Sequence, residues 1–261
     1  MADNSKPIIL AANIFETATP TATDTATGYD VSNILDRRTY TLWKAASLGT
    51  KYLTIDAATA RAVDALGIIG HNLSTCGATI SVEYSTTGLW AGEEVEALAG
   101  FTVTTDKAIL KTFTSATIRY WRIKIVTAAI APYIAVAFLG TRVTFERAMS
   151  RDFDPFPEQI VTETNRSKGG HILGTTIQYV SSAITVKFNA ITTTWIEATF
   201  RDLWDDYLSQ LKPVFWAWEI TNHPLEIYYV TVPESFNMSM PYGPWGSSYR
   251  DLSLTFEAIK E

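Results

Sequence analysis

The chain has 261 residues, 47% of them hydrophobic and 18% charged, with a net charge of −6. That balance excludes a disordered chain, and no run of about 18 uncharged apolar residues marks a membrane-spanning helix. The single cysteine, Cys76, excludes an internal disulfide and a cysteine-based zinc site, and the absence of a dense Lys/Arg cluster argues against a sequence-specific grip on nucleic acid.

The segment 1–6 is polar and carries no basic-then-apolar leader pattern, so the expectation is a protein made and folded in a cytoplasm. A Thr/Ala tract at 16–27 reads as an exposed loop or arm. Short strands follow. Residues 51–56 (KYLTID) alternate apolar and polar side chains, and so do 79–84 (TISVEY), with Ile80, Val82 and Tyr84 on one face. At 120–126 (YWRIKIV), Trp121, Ile123 and Ile125 share one face and Tyr120, Arg122, Lys124 and Val126 the other. Period-two alternation of β-branched and aromatic residues marks half-buried strands, and several such strands separated by turns predict a sandwich.

Residues 148–170 contain Pro155, Pro157, Gly169 and Gly170 and read as a linker or long loop. Two strands are expected at 171–180 and 183–191, joined by a tight turn at Ser181–Ser182. The one strong helix is expected near 195–211. There Ile196, Phe200, Leu203, Trp204, Tyr207, Leu208 and Leu211 recur at spacings of three and four, Thr194 and Glu197 have capping-box spacing, and Pro213 ends the run. Strands at 214–221, 226–232 and 252–259 complete a second block. The domain reading is therefore 1–147, a linker at 148–170, and 171–261. The fold class is mainly β: a jelly-roll sandwich, then an α+β sandwich or barrel with one packed helix.

Nothing catalytic stands out. His71, His171 and His223 are scattered, and the local signatures of phosphate loops, serine hydrolases and zinc proteases are missing. Glu93, Glu94 and Glu96 are a candidate carboxylate group, although a solubilising loop is the simpler reading. No enzyme activity and no cofactor are expected. Aromatic residues carry more information. Trp245 and Tyr242 lie in a turn-rich loop, PYGPWG, and Trp90 is flanked by Gly88 and Gly92. Rings presented on loops can form partner contacts, because they bury large areas at small entropic cost.

The first block resembles the discoidin, or coagulation factor 5/8 C-type, galactose-binding-like sandwich. The resemblance rests on Asn33-Ile-Leu-Asp36 with Thr41-Leu-Trp43, and on 52–56 (YLTID), 63–70, 80–86 (ISVEYST), 119–123 (RYWRI) and 134–140, over about 120 residues. The sequence departs from that pattern at Arg37, where the family usually has glycine. It departs again at Ala135 and Ala137, where an acidic residue often helps to hold calcium, so no metal is expected. The resemblance implies sugar contact through loops at one end of the sandwich, with His71, Asn72 and Trp90 as candidates. The second block resembles siphophage distal-tail and tail-tube proteins, through 166–170 (RSKGG), 212–216 (KPVFW) and 249–254 (YRDLSL). That resemblance implies a structural protein of a phage tail tip or baseplate in the virion. It would be a homo-oligomer, with a hexameric ring favoured, contacting other tail proteins through surfaces such as Trp245 and Tyr242. The alternative is a carbohydrate-binding module or adhesin for a host cell-surface glycan.

Overall fold

The computed structural model describes residues 6–150, 154, 158–234, 236, 238–243 and 246–259. The protein is mainly β. In chain order the strands are β1 (Ile8–Leu10), β2 (Thr21–Ala22), β3 (Trp43–Lys44), β4 (Gly49–His71), β5 (Thr79–Ser85), β6 (Val95–Thr102) and β7 (Ile109–Thr127). They continue with β8 (Tyr133–Gly140), β9 (Val143–Thr144), β10 (Glu158–Arg166), β11 (Ile172–Thr192), β12 (Val214–Ala217), β13 (Ile227–Thr231) and β14 (Tyr249–Ala258). Among the described residues no helix is long and apolar enough to cross a membrane.

The chain forms two compact units that interleave in sequence. One holds Ile8–Thr144 together with Val214–Ile227, and the other holds Phe145–Pro213 with the described residues from Tyr228 onward. In the first unit the strands are ordered β3-β8-β4-β7-β5-β6, with β2 on β4. Strands β4 and β7 are long and bulged. Their register slips between Asp56 and Arg61 and again between Val63 and Ala65, and Ala58 takes a left-handed φ of 60°. Bulges sharpen the bend and twist of a strand, so one pair of strands serves both halves of the sandwich. A single buried cluster collects Trp43, Ile134 and Leu139 from one half and Ile80, Val82, Trp121, Ile123 and Ile125 from the other. The alternation read at 79–84 and 120–126 is realised in that cluster.

The same unit is closed by a strand from far along the chain. β12 pairs with β1, Ile9 opposite Trp216, and β1 pairs in turn with β9. Phe215 meets Phe138 edge-on at 5.2 Å. It also lies so close to Gly67 that a Cβ there would sit 2.7 Å from its ring, which requires glycine at that position.

The glycine expected after Asp36 is replaced by Arg37, which keeps the glycine-like backbone, φ 59°. Its guanidinium is paired with Glu16 at 2.6 Å, donates to the Ala11 carbonyl at 3.0 Å and lies 4.6 Å from the centre of the Phe138 ring. Asp36 accepts from Thr41 Oγ1 and from the Arg38 amide, so it is a turn-former here. Among the described residues no group of three or more His, Cys, Asp or Glu is placed to hold a metal.

In the second unit the strands are ordered β10-β11-β14-β13. Two expectations need correction. The turn expected at Ser181–Ser182 is absent: β11 is one continuous strand, pairing with β10 in its first half and β14 in its second. The expected linker also contains β10, because Ile160, Thr162 and Thr164 alternate against 175–180. Residues 151–153 and 155–157 of that linker lie outside the described residues. The helical run spans 193–210, with a wider turn at Ile196–Phe200. Thr192, not Thr194, caps it, accepting from the Trp195 amide at 3.2 Å, and Glu146 in turn accepts from the Thr192 amide. The apolar stripe is realised at Ile196, Phe200, Leu203 and Leu208, which are buried, but not at Leu211, which is exposed and ends the run with a left-handed φ of 54°. Phe145 stacks on Phe188 at 4.3 Å, and Trp195 joins Phe145 to Phe200.

Candidate functional site

The loop of residues 86–94, between β5 and β6, is organised by one carboxylate. Glu93 accepts from Ser85 Oγ, from Thr87 Oγ1 at 2.7 Å and from the amides of Leu89 at 3.1 Å and Trp90 at 3.3 Å. These donors favour the charged form, so the Glu93 carboxyl is lowered to about 2, with the Ser85 and Thr87 hydroxyls the largest causes. The loop turns through three left-handed residues, Gly88, Trp90 and Gly92, at φ 85°, 63° and 81°. A bulky residue there is strained, and such strain persists only where the surroundings impose it.

Strand pairing decides what Trp90 meets. On the open face of the sheet, Glu83 of β5 is opposite Arg122 of β7, and Lys124 of β7 is opposite Tyr52 of β4. Glu83 is buried and bonded to both cations, to Arg122 Nε at 2.7 Å and Lys124 Nζ at 3.0 Å. Donation to the Glu83 carboxylate holds the Lys124 ammonium above the usual lysine range. The Arg122 guanidinium is sandwiched between Tyr52 and Trp90, 4.1 Å from each ring centre. Tyr52, Trp90 and Lys124 remain half-exposed. The result is a fixed surface of two aromatic rings beside an ammonium group. It can stack on the apolar face of a ring-shaped ligand and donate to oxygens at that ligand's edge.

His71 and Asn72 do not join this surface. They lie where β4 ends, next to the loop that starts β5, whereas Trp90 follows the end of β5. The six residue steps of that strand separate them by roughly 20 Å. Their polar atoms are already used. His71 Nε2 bonds the Lys107 carbonyl at 2.9 Å, and Nδ1 accepts from the Leu73 amide at 3.1 Å. Burial pushes the His71 imidazole below its ordinary value. Asn72 donates to the Ala131 carbonyl at 3.1 Å and accepts from the Tyr133 amide at 2.8 Å. Both residues fasten neighbouring loops. Tyr242 is exposed, with the Arg250 guanidinium 4.5 Å from its ring. Trp245 lies outside the described residues.

Near the same end of the sandwich as His71, a cleft of about 130 Å³ is lined by residues such as Thr104, Thr105, Lys111, Pro224 and Leu225. It is smaller than the roughly 300 Å³ at which small-molecule sites begin.

No protein-family model matches the chain, and no curated protein matches it. Solved structures do. One is a GH29 fucosidase of Ruminococcus gnavus, E1_10125, in complex with fucose, 19% identical over 51% of this chain with a TM-score of 0.43. The match spans 27% of the length of the fucosidase chain. Another is chitosan-binding module 1 from a chitosanase/glucanase of Paenibacillus sp. IK-5, 16% identical, covering 50% of this chain and 100% of the module, TM-score 0.43. A third is CpGH89CBM32-5 of Clostridium perfringens in complex with GalNAc-β-1,3-galactose, 10% identical, covering 50% of this chain and 100% of the module, TM-score 0.43. Half of the chain is thus similar to carbohydrate-binding modules. None of these three is a tail protein.

Sequence reasoning placed Arg122 and Lys124 on one strand face but missed that they, Tyr52 and Glu83 form one cluster with Trp90. The acidic position inside VEY was the available signal: a charge in the middle of an apolar strand needs a cation on the neighbouring strand. Of the group Glu93, Glu94 and Glu96, the first two accept amides of their own loop, while Glu94 and Glu96 stay exposed as a solubilising loop would have them.

Proposed function

We propose that the unit built on 8–144 is a carbohydrate-binding module that holds a glycan without cleaving it. The observation that carries this reading is the strained, carboxylate-braced loop that fixes Trp90 beside Tyr52 and Lys124 on the open sheet face. Rigid aromatic side chains fixed before binding lose little entropy when a ligand arrives. Lys124 adds hydrogen-bond donors and a positive charge, which suit hydroxyl and carboxylate oxygens of a cell-surface glycan.

Calorimetric titration of the full chain with neutral and uronic-acid oligosaccharides tests this reading. Binding in the micromolar to millimolar range is expected, abolished by Trp90→Ala and weakened by Lys124→Ala, with Tm monitored for both. No heat from any oligosaccharide at millimolar concentration, or binding indifferent to both substitutions, sinks the reading.

The phage tail-tip reading, with its hexameric ring, rests on the sequence resemblance of the second block alone. It requires copies of the chain to cover surface that the second unit leaves open.

A further inference from the structure

The hairpin of β10 with the first half of β11 has one apolar face that is left exposed among the described residues. β10 is regular, so its even-numbered residues share a face, and the register places Val180, Ile177, Thr175 and Ile172 on that same face. The Thr164 and Thr175 hydroxyls, 3.3 Å apart, mark it. The opposite face is mixed: it carries Val161 and the exposed ring of Tyr179 beside the polar pair in which Gln178 donates to Glu163 at 3.0 Å. Ile160, Ile172, Ile177 and Val180 are 57%, 61%, 60% and 45% exposed. The same face continues down β11 through Ile184, Val186 and Phe188, all fully buried. The core-facing side of the sheet therefore runs on past the core. A two-stranded ribbon with a bare apolar face is marginal in water by itself.

We propose that a second copy of this chain covers that face, the two hairpins stacking antiparallel about a two-fold axis. The charges on the face select this partner. Glu158 stands at its base and Arg166 at its tip, with only β-branched residues between them along β10. In an antiparallel stack each Arg166 lies over Glu158 of the second copy, so the face is complementary to itself, as a two-fold interface requires. A parallel stack sets like charges together. Four large apolar side chains on this one small face are 45–61% exposed, and a standard interface buries roughly 800 Å² per partner. The proposal is independent of the glycan reading, because none of these residues belongs to the Trp90 surface.

Sedimentation velocity of the full chain from about 1 to about 100 µM decides it. A dimer is expected. Ile177→Lys, which places an unpaired charge in the dry face, should weaken it roughly a hundredfold. Arg166→Glu should weaken it by roughly tenfold, and Arg166→Glu combined with Glu158→Arg should restore it, a rescue that a merely local role would not produce. The far-UV circular dichroism spectrum and Tm should be unchanged in Ile177→Lys, showing that the variant is folded. A monomer throughout, any other stoichiometry, or a dimer insensitive to Ile177→Lys and Arg166→Glu overturns the proposal.

Discussion

Arg37 combines two opposing contributions that substitution can separate. Its side chain is nearly buried, forks onto Glu16 and bonds the Ala11 carbonyl, while its backbone sits at a left-handed φ of 59°. Arg37→Ala removes the ion pair and keeps the backbone strain. Breaking a buried pair costs about 3–5 kcal/mol, but the Glu16 side chain is 32% exposed and recovers some hydration, so about 3 kcal/mol is expected. Arg37→Gly removes the same pair and also relieves about 1–2 kcal/mol of left-handed strain. Against that, glycine loosens the unfolded chain by about 0.4–1 kcal/mol relative to alanine. Arg37→Gly should therefore be the more stable variant by about 0.5–1 kcal/mol, although it lacks every side-chain contact. Urea unfolding followed by tryptophan fluorescence, with the slope m unchanged, measures both. If Gly proves less stable than Ala, the backbone at Arg37 is not strained. If both cost under about 1 kcal/mol, the pair is worth no more than a surface ion pair.

Two further outcomes concern pH. Burial lowers the His71 imidazole, so the folded protein keeps it neutral while the unfolded chain takes a proton near 6.5. Its contribution is intact above about pH 6.5 and is lost as pH falls toward the folded-state value; melting curves from about pH 7 to about pH 5 should flatten in His71→Gln, and an unchanged slope would show that His71 is not the group responsible. Glu93 is depressed to about 2, so its bonds to the loop persist well below the usual 4.5 and fail only as pH approaches 2. Glu93→Gln should loosen the 86–94 loop at neutral pH, seen as weaker glycan binding with overall Tm nearly unchanged; full affinity in that variant contradicts the bracing role.

The strands of the first unit were legible because period two is a local signal. Trp121, Ile123 and Ile125 had to face one way wherever the strand lay. The helix stripe was legible for the same reason. What failed was pairing. The sequence around Ser181 reads as a turn because two serines interrupt an apolar run, yet β11 passes straight through, its two halves held by different partners. The capping position moved by two residues because Glu146, remote in sequence, fixes Thr192. The site was half legible: Trp90 stood out by its flanking glycines, but its partner Arg122 is set by strand register. For His71 and Asn72 the sequence shows polar residues at a strand end but not the carbonyls of Lys107 and Ala131 that engage them, which are remote in sequence.

The pairing of β12 with β1 has a consequence for the order of events during synthesis. The first unit begins at Ile8, but the strand that lies against Ile9 and the ring that fills the space over Gly67 are made only after residues 145–213 have emerged. A nascent chain halted after Thr144 holds nearly all of the sandwich and none of its last strand. A fragment cut at that natural-looking boundary would leave the apolar positions opposite Phe215 and Trp216 open to water, and should clump rather than behave as a free-standing module. A shorter piece meant to keep the Trp90 surface needs Val214–Ile227 restored, for instance by a circular permutation that brings this segment next to Ile8.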